Sequence, residues 1–328
     1  MIVTGSNLDS AIANADLPLA VGPAIRINGS FTGSDFMFTA TLIAADALNE
    51  GDVSALADRL GEAGADMVAQ TWVEHGSACD LHFTGRQQIG RAALEGAIPG
   101  IDVIVQKTAE RCRRLIVADM DSTMITVECI DELADYAGIK PQIAEITERA
   151  MRGELDFEDA LKSRVALLRG LPEAIIAQCL LERVKIMPGA RELVRTIRAH
   201  GGYAVLVSGG FTRFAEPVGA EIGFDRVIAN CLGIDAAVLN GTVEGRIVGA
   251  GAKREALRST LAEKGWSSAD SLAVGDGAND IPMIEAAGLG VAYHAKPKTR
   301  AAAGAGVAHG DLTTILYAMG YARSDWTA

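Results

Sequence analysis

The sequence predicts an α/β protein: a Rossmann-like parallel sheet core with a helical cap insertion, preceded by a smaller ferredoxin-like α+β unit. Three observations support this fold. Short apolar runs that end in polar or glycine residues alternate with helical stretches, which is typical of buried parallel strands. Between residues 126 and 184, only helical spacing is found. Before residue 107, strand and helix patterns follow in the order β-α-β-β-α-β.

The first predicted domain covers residues 1–107. Residues 1–30 have weak hydrophobic periodicity, and we expect a loosely structured lead-in segment there. Beyond Asp35, the pattern predicts strands at Phe36–Ala44, Asp66–Val73, Ala78–Phe83 and Ile101–Gln106, with helices at Val53–Ala63 and Gln87–Ala97. This domain contains no cluster of catalytic residue types, so we expect a structural role for His75 and His82.

Residues 108–125 and 185–328 form the predicted catalytic core. The apolar runs Leu115–Ala118, Tyr203–Val207 and Leu272–Val274 predict buried parallel strands. Asn240-Gly241, which lies between apolar residues, predicts the turn of a β-hairpin. Ligands of open α/β sheets bind beyond the carboxyl ends of the strands, so the residues that follow these runs are the candidate site.

Residues 126–184 form the predicted cap. Helical spacing and glycine breaks predict helices at Glu128–Ala137, Pro141–Met151, Phe157–Leu168 and Pro172–Arg183. Because this insertion directly follows the first core strand, we expect it to cover the catalytic end of the sheet.

Composition narrows the class of protein. The chain has 328 residues, enough for two or three domains, and a net charge of −12 that argues against a nucleic-acid partner. Five scattered cysteines argue against a disulfide framework or a structural zinc site. No leader pattern and no run of about 18 apolar residues is found, so we expect a soluble cytoplasmic protein without a membrane partner. The oligomeric state is left open, and a homodimer is compatible with the sequence.

The strongest candidate cluster is Asp119-Met120-Asp121, directly after a predicted buried strand. The first carboxylate can attack phosphorus and also bind a metal ion, while the second can act as general acid and then base. Magnesium prefers oxygen ligands and offsets the repulsion between a carboxylate and a phosphate dianion, although manganese can substitute for it. The alternative for this cluster alone is a turn or a helix cap.

Three further segments fit the same chemistry. Asp276 and Asp280, in Gly275-Asp276-Gly277-Ala278-Asn279-Asp280, can complete a magnesium site, although a calcium loop or a turn is the alternative. The hydroxyl and backbone N–H groups of Ser208-Gly209-Gly210 can cradle a phosphate, or form a plain turn. Lys253 can neutralise a transferring phosphoryl group, although a lone lysine is usually a solvated surface residue. The joint occurrence of all four features favours phosphoryl transfer.

Residues 113–317 resemble the haloacid dehalogenase superfamily of phosphohydrolases, and within it the phosphoserine phosphatases. The resemblance is carried by three segments: Asp119–Met124 with Glu128 and Ile130-Asp131-Glu132; Met151–Phe157 with Arg164-Val165; and Val274–Asp280. It implies a magnesium-dependent enzyme that hydrolyses O-phospho-L-serine in the last step of serine biosynthesis.

The resemblance also implies a role for each matching residue. Asp119 is the expected nucleophile and Asp121 the general acid and base. The expected magnesium ligands are Asp119, the backbone carbonyl of Asp121, and Asp276, with Asp280 in support. The phosphate is expected on Ser208, Gly209, Gly210 and Lys253, with Asn279 near the attacking water. The expected amino-acid contacts are Glu128 to the ammonium and Arg164 to the carboxylate, with Met151 and Phe157 closing an apolar lid.

Other interpretations remain. Residues 1–107 are similar in layout to ACT-type regulatory domains, which raises an amino-acid effector site as a hypothesis. The enzyme alternatives are a phosphatase for another small phosphomonoester and a phosphoryl transferase that uses the same aspartyl phosphate. A binding protein that senses an amino acid is the alternative of another class. A P-loop kinase is disfavoured, because Gly249-Ala250-Gly251-Ala252-Lys253 lacks the Walker A spacing.

Overall fold

The computed structural model describes residues 37–152 and 154–328. The predicted lead-in at residues 1–30 and the first residue of the predicted strand at Phe36 lie outside the described residues. Among the described residues, no helix is both long enough and apolar enough to span a membrane.

The first unit follows the predicted element order. Its elements are β1 (Met37–Ala44), α1 (Glu50–Glu62), β2 (Asp66–Glu74), β3 (Ala78–Thr84), α2 (Gln87–Leu94) and β4 (Ile101–Lys107). The strands form an antiparallel sheet in the order β2-β3-β1-β4. Alternate residues of β1, such as Ala40 and Leu42, pack in one apolar cluster with Val53 and Leu56 of α1.

The second unit is an α/β fold with a largely parallel sheet. Its strands are β5 (Leu115–Ala118), β6 (Tyr203–Phe211), β7 (Arg226–Asp235), β8 (Val238–Glu244), β9 (Ser271–Gly275), β10 (Leu289–Tyr293) and β11 (Ala305–Val307). They lie in the order β11-β10-β9-β5-β6-β7-β8, and only the β7–β8 pair is antiparallel. In β5, Leu115 and Val117 join one buried cluster and Ile116 and Ala118 another, so both faces are covered as predicted.

The predicted insertion contains four helices and no strand among its described residues. Its helices are α3 (Cys129–Tyr136), α4 (Lys140–Met151), α5 (Phe157–Leu167) and α6 (Ala174–Glu182), which end within two residues of the predicted bounds. An isolated antiparallel bridge between Ile125 and Ile186 joins the two chain segments that lead into and out of the insertion.

The remaining helices flank the parallel sheet. They are α7 (Ala190–Ala199), α8 (Thr212–Ile222), α9 (Ala250–Lys264), α10 (Ile281–Ala286), α11 (Pro297–Ala302) and α12 (Thr313–Met319). The C-terminal end of α12 contacts the first unit, because the Gln106 side chain donates to the Ala318 carbonyl at 2.7 Å.

The predicted hairpin is present, but its turn was assigned to the wrong residues. β7 and β8 are joined at Ala236 and Ala237, both at positive φ (49° and 62°), and Asn240-Gly241 lies inside β8. The tip pairs with the insertion, since Glu173 N donates to the Ala237 carbonyl at 2.8 Å. This tertiary pairing explains why two alanines accept an unfavourable conformation.

Candidate active site

The predicted catalytic segments meet at the carboxyl ends of three neighbouring strands. Asp119 follows β5, Ser208 lies in the last half of β6, and Asp276 directly follows β9. The backbone N–H of Asp119 donates to the Val274 carbonyl at 3.0 Å, which ties the first carboxylate to the strand that leads to Asp276. The parallel sheet therefore brings together residues that are far apart in the sequence.

Three carboxylates could hold a metal ion here. Oxygen atoms of Asp119, Asp276 and Asp280 all lie within 4.8 Å of one another. One oxygen of Asp280 is oriented by the Gly277 N–H at 3.0 Å. A donor set made only of carboxylate oxygens suits a hard cation, so these residues fit magnesium. Burial, followed by the charge of Asp280, raises the pKa of Asp276 to about 6.

A buried lysine compensates two of these charges. Lys253 is fully buried, and its Nζ lies 2.6 Å from Oδ1 of Asp119 and 2.6 Å from Oδ1 of Asp280. Burial alone lowers the pKa of Lys253, but Asp119 and Asp280 outweigh it and the net pKa is raised. The pKa of Asp119 is also raised, by burial first and then by Asp280. The solvated-surface alternative for Lys253 is therefore wrong.

The environment of Asp121, the second aspartate of the cluster, is suited to proton transfer. Asp121 Oδ1 accepts from the Cys129 N–H at 3.3 Å. Burial, followed by the charge of Glu128, raises the pKa of Asp121 to about 7. A group with a pKa near the working pH can both donate and accept a proton during one reaction cycle.

The second unit and the insertion line a pocket with a volume of about 520 Å³. At its sheet end lie Asp119, Asp121, Gly209, Gly210, Asp276 and Asn279, and on the insertion side lie Glu128, Phe157 and Arg164. Burial lowers the pKa of the Arg164 guanidinium, and Nε of this residue donates to the Ala160 carbonyl at 3.3 Å. Within the described part of the chain, no carboxylate lies within 4 Å of the Arg164 nitrogens, so the guanidinium is available to a ligand.

Among the described side chains, three predicted site residues do not line this pocket. Ser208, Lys253 and Asp280 lie behind its surface as buried residues. The Ser208 hydroxyl instead accepts from the Gly210 N–H at 2.8 Å. Met151 ends α4, and its side chain lies outside what the structure describes.

Several pocket residues were missed by the sequence analysis. Thr147 and Lys296 line the pocket, as does Asp131, to which no role had been assigned. Lys296 follows β10, a strand that was not predicted because its run is short and contains a glycine. The rule that placed Asp119 at a strand end would have found Lys296 had this strand been identified.

Comparisons with known proteins agree with this geometry. A family model of haloacid dehalogenase-like hydrolases matches residues 116–285, just over half of the chain. The phosphoserine phosphatase of Mycobacterium tuberculosis is 46% identical over 227 residues, which are 69% of this chain and 55% of that protein. The chain therefore spans little more than half the length of this curated relative.

Two solved structures share the fold. The unliganded probable phosphoserine phosphatase from Vibrio cholerae is 32% identical with a TM-score of 0.71, over 89% of this chain and 88% of that one. A phosphoserine phosphatase solved as a phospho-aspartyl intermediate analogue is 37% identical with a TM-score of 0.59, over 63% of this chain and 98% of that one. From the family match and the site geometry, we conclude that this chain belongs to the haloacid dehalogenase-like hydrolase family.

Proposed function

We propose that the protein hydrolyses O-phospho-L-serine to L-serine and phosphate through an aspartyl phosphate on Asp119. The observation that carries this proposal is the pocket, which combines an acidic, metal-compatible end with Glu128 and with Arg164, an arginine that forms no ion pair among the described residues. An amino-acid phosphate requires recognition of a phosphate, an ammonium and a carboxylate, and this pocket offers a group for each. The names of the relatives and the aspartyl-phosphate structure support the same assignment.

In the first half-reaction, a carboxylate oxygen of Asp119 attacks phosphorus and the bond from phosphorus to the serine oxygen breaks. Asp121, whose pKa is raised to about 7, donates its proton to the leaving serine oxygen. Lys253 keeps its charge beside Asp119 and offsets the negative charge that gathers on the phosphoryl group.

In the second half-reaction, Asp121 takes a proton from a water molecule. The water oxygen attacks phosphorus, the bond from phosphorus to Asp119 breaks, and inorganic phosphate leaves. We propose that Asn279, on the pocket wall beside Asp276, orients this water, and that Ser208, Gly209 and Gly210 hold the phosphate.

Asp119, the Asp121 backbone carbonyl, Asp276 and Asp280 are the residues that would hold magnesium. When bound, the ion would act as a Lewis acid and reduce the repulsion between the nucleophile and the phosphate. Manganese offers the same oxygen preference and serves as a substitute in the assay below.

We also propose a division of the chain into domains and a closing lid. Residues 108–125 and 185–328 form the catalytic core, and residues 126–184 form a cap. Phe157 supports this proposal, because its ring lies close to both Gly209 and Gly249 while 37% of the residue stays exposed. Together with Met151, Phe157 would shield the amino acid from water on closure.

The test is phosphate release from O-phospho-L-serine with magnesium, with manganese and with chelator. We expect metal-dependent release well above that from phosphothreonine, phosphohomoserine and sugar phosphates. Release from another ester alone would retain the mechanism and reject the substrate. No release from any ester would favour the amino-acid sensor.

The covalent step has its own test, which is Asp119→Asn. We expect loss of turnover with an unchanged fold by circular dichroism, because an amide is a poor nucleophile toward phosphorus. Activity above a trace in a preparation free of wild-type protein would reject the aspartyl phosphate.

We propose further that residues 1–107 form an ACT-like domain with an amino-acid effector. The β-α-β-β-α-β element order and the β2-β3-β1-β4 sheet support the architecture. The test is inhibition of the full chain by L-serine. Inhibition that persists unchanged in Arg164→Ala supports an effector site outside the pocket, whereas inhibition that is lost in Arg164→Ala is product inhibition at the pocket and contradicts it.

A further inference from the structure

Ser208-Gly209-Gly210, the part of β6 that we propose holds the phosphate, is called the phosphate turn below because the Gly210 N–H folds back to the Ser208 hydroxyl. This segment lacks regular support from the neighbouring strand. Pairing between β6 and β7 is in register up to Val207, shifts there, and resumes only where Phe211 pairs with Asn230. Gly210 has no room for a side chain, because a Cβ there would lie 2.8 Å from Oδ2 of Asp121. Glycine leaves the backbone free to rotate, so other groups must hold the turn in place.

The side chain of Asn230 supplies that support. Asn230 is 1% exposed, and its Nδ2 donates to the Gly209 carbonyl at 2.8 Å. The same peptide unit contains the Gly210 N–H, which donates to the Ser208 hydroxyl at 2.8 Å. Because a peptide unit is planar, a hydrogen bond at each end fixes the orientation of the whole unit.

The other end of the Asn230 amide reaches the segment that leads to Lys253. Asn230 Oδ1 accepts from the Val248 N–H at 2.8 Å. The next residue, Gly249, accepts the backbone N–H of Lys253 at 3.1 Å in the first turn of α9. One buried amide thus joins the turn proposed to hold the phosphate to the start of the helix that carries the buried lysine.

Resting on the proposed function, we infer that Asn230 is a positioning residue that sets the phosphate turn relative to Lys253. An amide side chain suits this role, because the Gly209 carbonyl requires a donor and the Val248 N–H requires an acceptor. Asn230 itself does not line the pocket, so it acts through Gly209 and Val248 and not on the substrate directly.

Because the Asn230 amide makes two hydrogen bonds, two substitutions test its positioning role. Asn230→Ala leaves both the Gly209 carbonyl and the Val248 N–H without a partner. Asn230→Asp keeps an acceptor for Val248 but places an oxygen against the Gly209 carbonyl. If Asn230 orients the phosphate turn, both variants impair phosphate binding, although Asn230→Asp retains one of the two bonds.

The control is Leu232→Ala in the same strand. Leu232 is 3% exposed and belongs to the apolar core, so its truncation destabilises the protein without touching the turn. Thermal unfolding compares the stability of each variant with that of the wild type. If Asn230→Ala fails to fold, Asn230→Asp is the variant used for the binding measurement.

The experiment measures binding of inorganic phosphate to the full chain with magnesium by titration calorimetry, and kcat and KM for O-phospho-L-serine. We expect both Asn230 variants to lose ~10-fold or more in phosphate affinity and in kcat, whereas Leu232→Ala keeps both values near wild type. Phosphate affinities within about twofold of Leu232→Ala would overturn the inference, as would absence of phosphate binding by the wild type. If the wild type binds phosphate but hydrolyses no ester, the proposed function fails while the calorimetry still decides the role of Asn230.

Discussion

The Nζ of Lys253 lies 2.6 Å from Oδ1 of Asp119, and Lys253 is fully buried. This contact joins a cation to the carboxylate that we propose as the nucleophile. A second carboxylate, Asp280, lies equally close to the ammonium, with its Oδ1 at 2.6 Å. Removing the cation would leave two buried carboxylates without compensation.

We therefore expect Lys253→Met to lower kcat by about 100-fold or more and to destabilise the fold. Phosphate release and thermal unfolding measure the two effects. Lys253→Arg provides the control, and we expect poor rescue because a planar guanidinium does not replace a compact ammonium between two carboxylates. Near-normal kcat in Lys253→Met would contradict the proposed role.

Arg164 provides a test of substrate recognition. We expect Arg164→Ala to reduce kcat/KM for O-phospho-L-serine by about 10- to 100-fold, because a hydrogen-bonded charge contact is lost. O-phosphoethanolamine, which lacks the carboxylate, should be affected little. Lys162→Ala is the matched control, since Lys162 is on the same helix and pairs with Glu158 in solvent. Equal losses with both substrates would show that Arg164 is not the carboxylate clamp.

Ser122 directly follows Asp121 in the sequence and contacts Glu128, the proposed ammonium ligand. Its backbone has a φ of 57°, and its hydroxyl donates to Glu128 Oε1 at 2.8 Å. We expect Ser122→Ala to raise KM for O-phospho-L-serine but not for 2-carboxyethyl phosphate, which lacks the amino group. Ser122→Gly should show the same kinetic defect but be more stable by about 1 kcal/mol, because glycine tolerates positive φ. Equal stability of the two variants in urea would contradict the strain argument.

A buried ion pair links the two units. Arg111 donates to both oxygens of Asp80 at 2.6 and 3.1 Å, and to the carbonyls of Tyr317 and Ala318 at 3.2 Å each. We expect Asp80→Ala to lower the free energy of unfolding by about 3–5 kcal/mol, since it leaves a buried guanidinium unpaired. Urea unfolding measures this, with the exposed Asp66→Ala as control. A loss below about 1 kcal/mol would mean that the pair adds no more than a surface contact.

His82 predicts a dependence of stability on pH. It is fully buried between Thr39 and Thr71, and burial lowers its pKa below the usual 6.5, with Asp80 opposing and Arg111 adding to the effect. The unfolded chain therefore takes up the proton at a higher pH than the folded one. Stability should fall as the pH drops through 6.5, until folded His82 itself becomes protonated.

The measurement compares urea midpoints of wild type and His82→Gln at about pH 7.5 and about pH 5.5, on either side of the ordinary histidine pKa. Glutamine keeps a polar side chain but does not titrate, so we expect a smaller change with pH in the variant. The same change in both proteins would assign the pH dependence to other groups.

The sequence by itself determined the sheet-end chemistry. Asp119 and Asp276 each follow an apolar run, and parallel strands place their carboxyl ends at one edge, so their meeting followed from local patterns. The order of the elements in the first unit and the helical insertion were also predictable, because periodicity and glycine breaks are local signals. The burial of Lys253 could not be predicted from the residues that flank it in the sequence. Its expected place in the site was inferred from the joint occurrence of the other segments.

Tertiary structure alone decided the remaining features. The hairpin turn falls at Ala236 and Ala237 because the insertion pairs with that tip, and no local signal indicates this pairing. Asp80 is buried in the first sheet against Arg111, which also contacts the Tyr317 carbonyl of the second unit. Asn230 gains its two contacts from backbone groups distant in sequence. The partners of a buried polar side chain depend on how whole helices and strands pack together. Such long-range packing leaves no local periodic pattern in the sequence.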